Sequence, residues 1–170
     1  MGDQGHGPRP SQPLYTPAQR ARRDATIWTT VQGVLAPLQF LVFLVSLVLV
    51  ARYLVAGAGY EAATVSIVVK TLVLLTIMVT GAIWEKVVFG QYLFAPAFFW
   101  EDVVSFGVIA LHLAYVWMLI DGGYGPRAEM WVALAAYAAY VINAAQFLLK
   151  LRAARLQGAG AATAQREVLA

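Results

Sequence analysis

Three acids, a lysine and a crowd of aromatic rings share one short stretch of this chain. "WEKVVFGQYLFAPAFFWED", residues 84–102, contains seven aromatic residues and the four charged residues Glu85, Lys86, Glu101 and Asp102. Long apolar stretches flank it on both sides. Paired carboxyls at the edge of an apolar region suit proton transfer, because desolvation favours the protonated form of a carboxyl and lets it act as a general acid. Further polar residues stand inside the apolar stretches themselves: Gln39, Lys70, His112, Asn143 and Gln146. A polar or ionisable group in such a place is costly and is by default a candidate for function. No nucleophile elbow, phosphate-binding loop or metal-ligand cluster is present, so acid–base chemistry on an apolar, flat, lipid-soluble substrate is the consistent reading.

The elements that must position these groups follow from composition. Of 170 residues, 61% are hydrophobic and only 12% charged. A soluble domain is nearer half apolar and a quarter charged, so the chain reads as an all-α integral membrane protein, a four-helix bundle. Spans are expected at residues 31–55, 62–83, 103–120 and 130–149, within a membrane domain covering 28–151. Residues 1–27, beginning "MGDQGHGPRPSQP" and containing His6, are expected to be a disordered tail, and 152–170 a basic and then disordered one. No cleavable signal peptide is recognisable, since the first apolar run starts late and is too long for one. The chain has no cysteine, which excludes disulfides, iron–sulfur clusters and thiolate zinc sites. The net charge of +3 is gathered at the two ends and forms no basic stripe for nucleic acid.

Arg20, Arg22 and Arg23 precede the first span and Lys150, Arg152 and Arg155 follow the fourth, so both termini are expected to be cytoplasmic. Residues 84–102 then lie on the same side. The segment is too short and too broken by Gly90 and Pro96 to span, and is expected to be an aromatic-rich interfacial or re-entrant element between helices two and three. At ~1.5 Å per helical residue, Gln39, Lys70, His112 and Asn143 fall into one belt in the inner half of the membrane. Glu101, Ser105, Val108, His112 and Tyr115 share one helical stripe, and Asn143, Gln146 and Lys150 share another. A funnel from the acids down to His112 and Lys70 is the expectation. Each residue also has a plainer reading. Gln39, Asn143 and Gln146 can serve as glue between helices, His112 as a packing residue, Lys70 as the partner of Glu85, and the rings as an anchoring belt.

The stretches "WEKVVFGQYLFAPAFFWEDVVS", "VQGVLAPLQFLVFLVSLVLVARYL" and "AAYAAYVINAAQFLLKLRAARL" closely resemble the 2-vinyl bacteriochlorophyllide hydratase family of anoxygenic phototrophic bacteria, over residues 20–156. The resemblance implies addition of water to the 3-vinyl group of a chlorophyllide or bacteriochlorophyllide, giving a 3-(1-hydroxyethyl) group, in bacteriochlorophyll a synthesis. It implies a bacterial inner, intracytoplasmic membrane, and neighbouring pigment-biosynthesis enzymes as possible partners. No cofactor is required; the magnesium belongs to the substrate. From the chemistry, Glu101 or Glu85 is the expected acid, with Glu101 preferred because it shares a stripe with His112. His112 or Asp102 is the expected base, and His112 has a rival role as axial ligand of the pigment's magnesium. Lys70 or Lys86 would pair with the propionate. Tyr92, Phe98, Phe99 and Trp100, with Phe89 and Phe94, would offer stacking faces, and Asn143 and Gln146 polar contacts. Two other classes use some of the same residues: a non-catalytic membrane pigment carrier or assembly factor, which has no need of paired acids, and a small four-helix transporter.

Overall fold

The computed structural model describes residues 14–169, with side chains over residues 14–156. Five helices follow in order: α1 (Pro17–Ala25), α2 (Ile27–Ala56), α3 (Tyr60–Phe89), α4 (Phe99–Asp121) and α5 (Pro126–Leu169). Four helices, α2, α3, α4 and the Pro126–Leu156 part of α5, are long and apolar enough to cross a membrane. Only 22–28% of each span's most apolar window is buried inside the protein, so most of that apolar surface faces outward. Water would not tolerate such a surface, whereas lipid is its natural solvent. The chain is a multi-pass membrane protein.

α1 lies inside the stretch expected to be disordered. Thr16 caps it: its hydroxyl accepts from the Gln19 amide at 3.2 Å, and the Gln19 side chain accepts from the Thr16 amide at 2.8 Å. Pro17 takes the first helical position, where a missing N–H does no harm. Thr26 then ends α1 and caps α2. Residues 1–13, including His6, lie outside the described residues. At the other end α5 continues as helix to Leu169, where a frayed tail was expected. The reason at both ends is that helical propensity needs no apolar face; "PAQRARRDA" and "LKLRAARLQ" are rich in good helix formers.

Of residues 84–102, only 90–98 are outside helices. Trp84–Phe89 are the last turns of α3, and Phe99–Asp102 the first of α4. α3 stops at Gly90, whose φ of 90° closes the helix with an amide bond back to the Lys86 carbonyl.

α2 packs mainly on α3 and α4 mainly on α5, giving two hairpins that meet through α2–α5 and α3–α4 contacts. Phe43, Ile67, Leu74, Val108, Tyr115, Met130 and Tyr137 fill the centre. Ala63, Ala133 and Ala136 are fully buried there and let the helices approach closely. A second cluster closes the end where α1 sits: Tyr15, Val88 and Phe98 are buried, with Trp84, Phe89 and Phe147 against them. Arg22 ties α1 to this end by donating to the Val88 carbonyl at 3.0 Å, one of the orphan carbonyls of the α3 terminus.

Candidate active site

The last turns of α3 and the first turn of α4 bring Glu85, Glu101 and Asp102 to the same end of the bundle. All three are buried, at 5%, 7% and 3% exposure. Helix periodicity explains the α4 pair. The stripe Glu101, Ser105, Val108, His112 and Tyr115 is the inward face of α4, as its spacing predicts, and Asp102 borders it.

Glu85 and Asp102 form one unit. The connection brings them together. Two ionised carboxylates can only accept and repel each other, so a pair held this way is suited to keep one proton between its members. Two successive amides of the connection complete the arrangement. Phe94 N–H donates to Asp102 Oδ2 at 2.6 Å, and Ala95 N–H donates to Glu85 Oε2 at 3.2 Å. Phe94 has a φ of 58°, in the left-handed region that side chains other than glycine rarely adopt.

Glu101 faces elsewhere. Its carboxylate accepts from Lys150 Nζ of α5 in an ion pair. Its main-chain carbonyl accepts from Ser105 Oγ at 2.8 Å and Asn143 Nδ2 at 3.0 Å, and Asn143 Oδ1 lies 3.2 Å from Ser105 Oγ. Glu101, expected to be the preferred acid, is thus the acceptor in an ion pair between α4 and α5, and Asn143 ties helices together. Gln146, one turn from Asn143, is half-buried and its Oε1 has no protein partner among the described residues.

Lys70 and His112 form a second, separate centre. Lys70 Nζ lies 2.8 Å from His112 Nε2, and both residues are buried, at 0% and 1% exposure. His112 Nδ1 lies 2.8 Å from the Val108 carbonyl. That oxygen only accepts, so Nδ1 carries the hydrogen and Nε2 accepts from Lys70. The ammonium also sits over the rings of Tyr140 and Tyr137, at 4.2 and 5.2 Å. Lys70 therefore finds its partner in His112, not in Glu85. Both nitrogens of His112 are engaged, which leaves no free lone pair for the expected base or axial-ligand role. Eleven residues separate His112 from Glu101 along α4, ~16 Å of helix, and the buried Val108 lies between. The buried Ser105 and Val108 stand along the expected funnel, and the expected belt divides: Lys70 meets His112, while Asn143 joins Glu101. Gln39 is buried on α2, and its Oε1 has no protein partner among the described residues.

The aromatic residues also divide. Phe98 is 2% exposed and packs flat against Phe147 at 5.9 Å, with Lys150 over its face, so it is core rather than an open stacking surface. Tyr92, Phe99 and Trp100 are exposed. Lys86 is exposed as well; its Nζ donates to the Gly90 carbonyl and lies 5.3 Å from the Tyr92 ring centre. An open apolar groove of about 580 Å³ between α2 and α3, lined by Leu41, Val45, Leu49, Val65 and Val69, lies toward the opposite end of α3 from the acids.

Sequence reasoning missed Lys150, Tyr137, Tyr140 and the turn at Phe94. Lys150 was already on the stripe of Asn143 and Gln146, and that shared face was the available signal. Tyr137 and Tyr140 carried none beyond their apolar setting. The left-handed backbone of Phe94 has no sequence signal at all, because the residue type argues against it.

The model of one protein family, described as 2-vinyl bacteriochlorophyllide hydratase, matches residues 15–153. A 2-vinyl bacteriochlorophyllide hydratase of Rhodobacter capsulatus is 73% identical over 146 residues, covering 86% of this chain and 85% of the relative. A protein of the same name from Cereibacter sphaeroides is 72% identical over 148 residues, covering 86% of this chain and 91% of the relative. No solved structure matches the chain. The family match runs through α1, the four spans and the carboxyl-bearing connection, both relatives are more than 70% identical over 86% of the chain, and on that ground the chain belongs to the 2-vinyl bacteriochlorophyllide hydratase family.

Proposed function

We propose that this chain adds water across the 3-vinyl group of a chlorophyllide or bacteriochlorophyllide, a hydro-lyase reaction run toward hydration in bacteriochlorophyll synthesis. The names of the two relatives support the substrate class. The observation that carries the chemistry is the Glu85–Asp102 pair, two buried carboxyls from two helices, each accepting from one of two successive amides.

Hydration begins with transfer of the proton held by the pair to the terminal vinyl carbon. The vinyl π electrons form the new C–H bond and leave a cation on the carbon next to the macrocycle, which delocalises it. The pair is then fully ionised and stabilises that cation at short range. Water attacks the cation, and its surplus proton returns to the pair. One water is consumed, the pair ends as it began, and no electron is gained or lost. Glu101 stays paired with Lys150 and holds α5 against the start of α4, so it positions the pair's helix rather than giving up a proton.

We propose the inner, intracytoplasmic membrane as its location, with both termini in the cytoplasm. Arg20, Arg22, Arg23, Lys86, Lys150, Arg152 and Arg155 gather at the end that carries the acids, against Arg52 and Arg127 at the other, which favours this orientation.

The test is conversion of chlorophyllide a and of bacteriochlorophyllide with an intact vinyl group by membranes containing the protein, followed by mass spectrometry. A gain of one water with loss of the vinyl group is expected. Glu85→Gln and Asp102→Asn should each lower turnover by roughly 10²–10⁴-fold, the usual size of a general acid–base contribution, while pigment still binds. Wild-type rates in both variants would remove the pair from the mechanism.

A further inference from the structure

Both members of the pair are covered, and the residue over Asp102 is Phe94. On the surface of α4, Phe99 and Phe106 stand three residues before and four residues after Asp102, so they flank it on the outward side. The connection folds Phe94 back across them. Its ring lies 5.5 Å from that of Phe106 at an interplanar angle of 14°, and 5.7 Å from that of Phe99. The three rings are 40%, 43% and 43% exposed, so the ledge they form faces out of the bundle. Phe94 thus combines a backbone conformation costly for its side chain, an amide bonded to Asp102 and a ring on an outward ledge. Core packing does not explain the strained conformation, because the ring is not in the core. Strain of this kind persists where surrounding structure enforces it and is concentrated at functional sites.

We propose that Phe94, Phe99 and Phe106 are the docking ledge for the flat macrocycle, which comes to the carboxyl pair from the outer, lipid-facing side of α4, and that Phe94 is the positioning residue linking its arrival to Asp102. This rests on the hydration reading. Two nearly parallel, stacked rings with a third tilted beside them leave an outer apolar face on which a planar conjugated ring system can continue the stack. Lys86, exposed over Tyr92 on the same connection, supplies the cation that complements the pigment's acidic side chain. Approach through the bundle is closed by Val108, His112 and Tyr115 on the inner face of α4. Movement of Phe94 that admits the pigment breaks the hydrogen bond from its N–H to Asp102 Oδ2 and frees that oxygen toward the vinyl carbon. Lipid tails also suit an apolar ledge, but they give no role to the left-handed Phe94 or to its bond with the acid.

The experiment measures binding and turnover separately, with full-length protein in lipid nanodiscs. Binding is read by fluorescence with the pigment analogue that has an ethyl group in place of the vinyl group; turnover is read with the vinyl pigment. Phe99→Leu and Phe106→Leu should weaken analogue binding and raise KM by roughly 3–10-fold, the scale of one lost aromatic stack, with kcat little changed. Phe106→Trp should bind as wild type does. Phe94→Gly keeps the amide and accepts the left-handed backbone, so it should raise KM alone, whereas Phe94→Ala, strained and without its ring, should lose kcat as well. Phe40→Leu, an exposed ring on α2, serves as the control and should change neither. Unchanged affinity and KM in the Phe99 and Phe106 variants, or an equal loss in the Phe40 variant, would overturn the ledge. If wild-type protein hydrates neither vinyl pigment yet binds the analogue in a ledge-dependent way, the hydration reading falls and the docking site stands.

Discussion

Removing His112 and removing Lys70 are unequal perturbations. Lys70→Met leaves the His112 Nε2 acceptor unpaired in a buried site, a loss of about 1–3 kcal/mol. His112→Leu leaves the buried Lys70 amine, whose donors then meet no acceptor, with only aromatic faces around it, a loss at or above the top of that range. The double variant removes both orphans and should resemble Lys70→Met more than His112→Leu. Thermal unfolding in detergent, followed by tryptophan fluorescence, measures the order. Because the centre is ~16 Å of helix from the acids, folded Lys70→Met protein should keep the KM and kcat of the wild type within about threefold. A collapse of kcat in stable Lys70→Met protein would bring this centre into the reaction. Asn143→Leu acts at a different point. It deprives the Glu101 carbonyl of one donor and should loosen the seat of α4 by about 1–3 kcal/mol.

At the scale of elements, α1 and Tyr15 form the closure over the acid-bearing end. Tyr15 is 4% exposed, stacks on Phe89 at 5.8 Å and carries Arg23 over its outer face at 4.8 Å. Tyr15→Ala opens a cavity in that small cluster and should destabilise by about 3 kcal/mol, against about 1 kcal/mol for loss of the Thr16 cap in Thr16→Ala. Equal midpoints for the two variants in a melting series would show that the cluster does not hold α1. These elements also show what a sequence makes legible. The inward stripe of α4 follows from the 3.6-residue period alone, because a period fixes which residues share a face. The four spans follow from lengths of apolar sequence. The ends of helices do not, since Trp84–Phe89 continue α3 beyond the bilayer-length segment with rings that suit an interface equally well. Nor does periodicity fix how neighbouring helices are rotated, which is why the sequence offers Lys70 either Glu85 or the pigment's propionate as partner and not His112 across the bundle. The Glu85–Asp102 contact depends on a turn at residues 90–98 whose path is set by Phe94, a residue whose type gives no hint of a left-handed backbone.

For the whole molecule, the absence of cysteine makes topology directly measurable. Gln91→Cys, in the α3–α4 connection, and Tyr124→Cys, in the α4–α5 turn, should react with an impermeant maleimide from opposite sides of sealed vesicles. Gln91→Cys should share its side with a cysteine placed in the α1 region, and labelling of all three from one side would rule out the four-span arrangement. The two hairpins bear on how this protein is made. Glu85 arrives with the first hairpin; Asp102 and the two amides arrive with the second. A nascent chain with only α2 and α3 inserted therefore has no proton donor of this kind, and the pigment meets a reactive centre only after insertion is complete. Fragments 1–92 and 93–170, produced together, should recover hydration only to the extent that the halves find each other in the membrane, which turns the reaction itself into a gauge of hairpin assembly.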